Sequence, residues 1–221
     1  MAPIVTTLRL TRLDKDLNKL GEHEQTMRSW IKHFFDLLYV KTSPSDLAMN
    51  DINGTSRTIR STIGTSSVSP LGVLQIASTP GGCRNAVNPI FYNNNGSTPV
   101  LGENCGIVVG SNNAAPAPTD DAMGTVIAHG TGAGQLCYGG SEVLYPTFAD
   151  PDGAMILRRY FTNSSGGDVT VRECGIYSQG CIVVTTAYGH SFCVCHDNVN
   201  PAVVVADTEI LVVTYTLQIT V

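Results

Sequence analysis

A chain of 221 residues with 43% hydrophobic side chains has material for one large core, or for a domain with an extension. Only 14% of the residues are charged and the net charge is −5, which excludes a disordered, collagen-like or strongly basic nucleic-acid-binding chain. The charge is uneven: residues 1–50 carry seven basic and six acidic groups, whereas residues 51–221 carry six arginines, twelve carboxylates and no lysine.

Phosphate binding draws on clustered Lys and Arg, and anionic membranes attract the same groups. Neither nucleic acid nor a membrane is therefore an expected partner. Surfaces poor in charge are a mark of protein contacts, which points to burial in an assembly. The start MAPIVTTLRLTRLDKD lacks the apolar stretch of a secretory signal. No apolar run reaches the length of a membrane span, about 18 residues. The seven cysteines are thus expected to stay reduced in a cytoplasm.

Residues 3–12 read as a short extended arm, and residues 14–40 as helix. Met27, Ile31, Phe34, Phe35 and Leu38 recur at three- and four-residue steps, with Trp30 and Leu37 widening the stripe. Gly21 splits this segment, and Thr42-Ser43-Pro44 ends it, because the residue before a proline is pushed out of helical space. Residues 1–45 thus read as an arm and amphipathic helix appended to a body at 46–221. Met27, Trp30, Ile31, Phe34, Phe35 and Leu38 are the candidate interface residues, since aromatic clusters concentrate interface energy. The same stripe would serve equally to cover the chain's own body.

After Pro44 the pattern changes to strands. Leu47–Arg60 contains Asn53-Gly54, a strong hairpin signal. Residues 71–77 read as a short strand, 78–104 as a long surface loop, and Cys105–Val109 as a buried strand. Pro116–Ile127 contains Pro118-Thr119-Asp120-Asp121, a helix start signal, and reads as one or two helical turns. Further strands fall near 134–146, 154–163, 168–177, 181–187, 190–196 and 209–221. In the last, Leu211, Val213, Tyr215, Leu217, Ile219 and Val221 alternate with polar residues, so one face should be buried. A hairpin around Ser164-Ser165-Gly166-Gly167 would set Arg158, or Arg159 across a bulge, opposite Glu173. The fold class that follows is mainly β: an antiparallel β-sandwich with an N-terminal α-helical extension.

No chemistry-bearing motif stands out. His190, Cys193, Cys195 and His196 lie close together, but strand alternation sets Cys193 and Cys195 on one face and His196 on the other. Zinc asks for four converging ligands, so no metal is expected. Cys174 and Cys181 flank a turn and could meet, but a disulfide there needs an oxidising compartment. Gly130–Gly134 is neither a dinucleotide fingerprint nor a phosphate loop. Ser141 and Ser165 lack the context of an activated nucleophile. Asp120 and Asp121 read as the first turn of a helix, and Asp150-Pro151-Asp152-Gly153 as turn chemistry. No catalytic residue, cofactor or small-molecule substrate is expected.

Three stretches carry a resemblance. They are GIVVGSNNAAPAPTDDAMGTVIAHGTGAGQLCYGG at 106–140, RRYFTNSSGGDVTVRECGIY at 158–177 and TEILVVTYTLQITV at 208–221. Together they resemble a family of tailed-bacteriophage virion structural proteins, over roughly residues 105–221. The family's pattern has a Gly-Val-Val-Gly strand, an Ile-Ala-His-Gly stretch, an Arg-x-Phe-Thr-Asn hairpin and a Leu-x-Val-x-Tyr closing strand. Cys174 departs from it, as does the Cys- and His-rich 181–196 segment. The resemblance implies a non-enzymatic component of the head, neck, tail or baseplate. It would reside in the virion and contact copies of itself and other virion proteins. The alternative is a receptor- or carbohydrate-binding β-sandwich module. Against that, the single Trp lies in the N-terminal stripe, and the loops carry few aromatics beyond Phe91, Tyr92 and Tyr138.

Overall fold

A computed structural model describes residues 4–27, 30–42, 45–59, 102–149, 152–180 and 190–220. The elements are β1 (Ile4–Leu13), β2 (Lys19–Met27), α1 (Lys32–Thr42), β3 (Leu47–Asn50), β4 (Ser56–Ile59), β5 (Gly106–Gly110), β6 (Cys137–Ala149), β7 (Asp152–Thr162), β8 (Val169–Gly180), β9 (His190–Val205) and β10 (Ile210–Thr220). Among the described residues the chain is mainly β, and every strand pairing is antiparallel. The strands form a five-stranded sheet in the order β2-β1-β10-β7-β6, a three-stranded sheet β5-β8-β9, and the small hairpin β3-β4. The expected strands at 71–77 and 181–187, and nearly all of the expected loop at 78–104, lie outside the described residues.

The closing strand is placed as its alternation requires. β10 is the middle strand of five, paired along its length with β1 and β7. Leu211, Val213 and Tyr215 are buried, and Leu217 packs half-buried at the rim of the core. Leu8 and Leu10 from β1, with Leu157 and Phe161 from β7, complete that inward face.

The N-terminal segment differs from the helical reading. The arm at 3–12 is extended, as β1, but residues 19–27 form a second strand and only 32–42 form a helix. The burial of β2 alternates from residue to residue, which is the period of a strand edge, not of a helix. Arg9 pairs with Glu24 at 2.6 Å, and Thr11 donates to Glu22 at 3.1 Å, across the β1–β2 ladder. Lys19–Met27 has apolar side chains only at Leu20 and Met27, too few to set a helical stripe. Pairing with β1 overrides the local preference of its Lys, Glu and Gln. The boundary at residue 45 therefore separates strands that belong to one sheet.

The expected hairpin of 154–163 with 168–177 does not form. β7 ends in the five-stranded sheet, and β8 begins in the three-stranded one. Arg158 instead holds Glu142 of β6 at 2.8 Å, and neither arginine pairs with Glu173. Asn163 fixes the crossing. Its Nδ2 donates to Gly167 O and Val205 O, both at 2.8 Å, and its backbone exchanges hydrogen bonds with Thr208 and Glu209. The β7–β8 and β9–β10 crossings thus run side by side, tied by one buried amide.

The two larger sheets share a single hydrophobic core. Arg159 of β7 is fully buried and sends Nη1 to the carbonyls of Cys105 and Ile107 beside and within β5, at 2.7 and 2.8 Å. Its Nε donates to Gly139 O, and its guanidinium lies 4.8 Å from the Tyr138 ring centroid. The Tyr138 hydroxyl in turn donates to Ile127 O at 2.6 Å.

Candidate functional site

Every residue of β5 is buried, and most residues of β8 and β9 are buried around it. Such strands read as continuous apolar runs, so a charge within them needs a dedicated partner. Glu173 of β8 is fully buried, and His196 of β9 is 4% exposed. His196 Nε2 meets Glu173 Oε2 at 2.8 Å, and its Nδ1 meets Asp120 Oδ2 at 2.9 Å. The imidazole thus lies between two carboxylates, each on its own ring nitrogen.

Asp120 belongs to the 111–127 connection, which crosses over this sheet. That connection forms turns and bends, not the expected helical turns. Its backbone amides explain the difference. Thr125 N and Gly124 N donate to the Glu173 carboxylate at 2.8 and 3.1 Å, and Asn112 N donates at 3.3 Å. Met123 N donates to the Tyr177 hydroxyl at 3.0 Å. Donors that a helix would use internally are spent on β8 side chains.

Two glycines allow this close approach. A Cβ on Gly110 would stand 2.6 Å from Thr125 O, and one on Gly175 would stand 2.6 Å from Met123 Sδ. Both are well inside ordinary contact distance, so the connection can lie flat only over hydrogen at these positions.

Asp121 holds a second histidine. Its carboxylate meets His33 Nε2 of α1 at 3.3 Å and accepts from Asn50 Nδ2 of β3 at 2.9 Å. Lys32 N, at the start of α1, donates to Pro118 O at 2.9 Å. The connection therefore joins β8, β9, α1 and β3.

The two histidines are pushed in opposite directions. Burial holds the His33 ring below its ordinary value. At His196 burial acts the same way, but hydrogen bonds and charge from Glu173 and Asp120 outweigh it and raise the ring. Burial alone would raise Glu173, yet the His196 hydrogen bond and the Thr125 and Gly124 amides bring it below the ordinary carboxylate range. The contacts to Glu173 and Asp120 thus favour the protonated His196 ring, whereas burial favours the neutral ring at His33.

A bulge rearranges the cysteines expected to share a face. Ile176 pairs with Cys195 and Tyr177 with Cys193, leaving Val194 as the extra residue. One residue out of step reverses the alternation. Cys193 therefore shares the Tyr177 and His196 side, and Cys195 turns toward Cys174 and Tyr215. Burial pushes both thiols up, so they are poor thiolates and poor metal ligands. Cys105, Cys137, Cys174, Cys193 and Cys195 are free thiols, and Cys181 lies outside the described residues. Among the described residues no cluster of His, Cys, Asp or Glu is arranged around a metal position.

The candidate interface stripe is split. Met27 and Ile31 are buried in the core, with Trp30 and Phe34 packed half-buried against it. Trp30 Nε1 donates to Thr6 Oγ1 at 3.2 Å, and its ring stacks 4.3 Å from that of Phe34. Phe35 and Leu38 are exposed, alongside Tyr39.

Glu173, His196, Asp120 and Asp121 were not legible from sequence as one site. A signal was present: Glu173 interrupts the alternating set Val169, Val171, Gly175 and Tyr177, and an interior strand carries a carboxylate only when something holds it. Comparisons of the chain with family models, curated proteins and solved structures find no match.

Proposed function

We propose that this protein is a non-enzymatic structural and assembly component of a tailed-bacteriophage particle, acting through contacts with copies of itself and with other virion proteins. The resemblance of residues 105–221 to that family supports the virion assignment. The layered reading is an antiparallel β-sandwich, with the five-stranded sheet over the three-stranded one. It is supported by Arg159 and Tyr138, which reach from one sheet to the other.

The observation that carries the assembly reading is the outer face of α1. Phe35 is 59% exposed, with Leu38 and Tyr39 beside it, while Leu37 and Val40 on the same helix are buried. A helix that has already covered its own core and still presents aromatic side chains to solvent is suited to a protein contact. Phe148 near the far end of β6, 79% exposed, and Val143 add a second apolar area on an edge strand.

Light scattering with size-exclusion chromatography on the full chain tests this reading. Concentration-dependent assembly that Phe35→Asp with Leu38→Asp abolishes, without loss of the folded spectrum, is expected. A monomer at high micromolar concentration that shows a signal on a glycan array would instead favour a carbohydrate-binding module.

A further inference from the structure

We propose that the Asp120–His196–Glu173 chain is a proton-operated latch: it holds the 111–127 connection against β8 while His196 carries both ring protons, and lets it lift when one is lost. The geometry points to this behaviour. His196 meets a carboxylate at each nitrogen, and only the doubly protonated ring can donate to both. A neutral imidazole would turn a lone pair toward one of them inside a buried site, where an unpaired charge is costly.

What would lift is defined by the same contacts. Glu173 accepts the amides of Asn112, Gly124 and Thr125. Its position thus governs the middle of the connection, as Asp120 governs its turn. Beneath lie Gly110, covered by Glu173 and Thr125 O, and Gly175, covered by Met123. Opening would uncover a strip of backbone on β5 and β8 flanked by Tyr177 and Cys193.

The neighbouring charges leave the switch to His196. From β8 it faces Glu173 and, farther along that face, the Tyr177 phenol. The connection supplies Asp120, and Asp121 with its own contact to His33 of α1. Its own strand supplies Cys193, and Asp197 beyond it. Tyr177 and Cys193 are pushed up by burial and stay neutral. Because Glu173 and Asp120 raise His196, the latch is closed below the ordinary histidine range and opens as pH rises through the elevated value.

Amide hydrogen exchange on the full chain, corrected for intrinsic base catalysis and followed beside the NMR titration of the His196 ring, tests the latch. Protection at Asn112, Gly124 and Thr125 is expected to fall by roughly tenfold or more across the ring titration, with β10 amides unchanged. In Asp120→Asn the fall should move to lower pH, because one stabilising carboxylate is gone. In His196→Gln it should vanish. Protection that stays level while the ring titrates, or a fall that keeps its place in Asp120→Asn, would overturn the proposal. Asp120→Asn carries the test alone if His196→Gln does not fold.

Discussion

Arg159 and His196 are both basic side chains buried between strands, and they are satisfied in different ways. Arg159 is bound by the neutral carbonyls of Cys105, Ile107 and Gly139 and lies over aromatic rings. His196 is held by carboxylates. Burial lowers Arg159 from its ordinary value, but a guanidinium keeps its proton in a protein. The join between the sheets is therefore indifferent to pH, and the join between β8 and the connection is not. One centre is a fixed rivet and the other is titratable, although both are buried to a similar degree.

The comparison presumes one folding unit, and β10 is where that is most exposed to test. Deleting residues 212–221 removes the middle of the five-stranded sheet together with Val213 and Tyr215. Each fully buried apolar side chain contributes about 1.5–3 kcal/mol, so the truncated chain should be insoluble. A soluble, cooperatively melting product would show that the three-stranded sheet stands alone.

Arg159→Met should be next in severity. It strands two buried carbonyls and a part-buried one, each buried one costing about 1–3 kcal/mol, so urea denaturation should show a loss of about 3–5 kcal/mol at any pH. Arg159→Lys should recover little of it, because an ammonium cannot reproduce the planar fork.

Glu173→Gln should cost about 2–3 kcal/mol at neutral pH, as removal of one member of a buried charged hydrogen bond does. Its signature is the pH profile. The raised His196 contributes stability that is complete below its unfolded value and is lost as pH rises through the folded one. The lowered Glu173 contributes stability that is present above its ordinary 4.5 and lost as pH falls through the folded value. His33, lowered from 6.5, adds an acid-side loss, because the unfolded chain takes a proton that the folded one refuses. Stability measured by urea across pH should thus fall at both ends, and Glu173→Gln should remove most of the alkaline fall while His33→Gln removes the loss that begins below 6.5. An unchanged alkaline limb would place the titrating group elsewhere.

The smallest effect sharpens the contrast from outside the core. Arg158 and Glu142 form an ion pair at 2.8 Å on the surface of the five-stranded sheet. Arg158→Ala should cost about 0.2–1 kcal/mol, falling further with salt. The two adjacent arginines would then differ several-fold in importance, by burial alone.

How much of this was legible follows the same division. The period of β10 gave its buried face, because alternation and burial coincide there. Residues 19–27 misled because a polar edge strand offers no apolar pattern, and its pairing with β1 is made over distance. The β7–β8 turn has the composition of a hairpin, but Asn163 bonds to Val205 and Thr208, and no local rule anticipates partners forty residues away in sequence. Asp120 and Asp121 do resemble a helix start. Their histidines come from β9 and α1, so the site exists only in the folded chain.

The β1–β10 ladder sets Ile4 opposite Ile219. In topological terms this pair is a hairpin that lacks only its loop, placed in the middle of a sheet and not at its margin. A linker of a few residues would supply that loop, and the exposed Asp14–Asn18 turn could then be opened to give new termini. Such a circular permutant would keep every strand pairing and make the β1–β10 contact local, while the β1–β2 contact became the long-range one, so its folding rate is expected to stay close to the parent's.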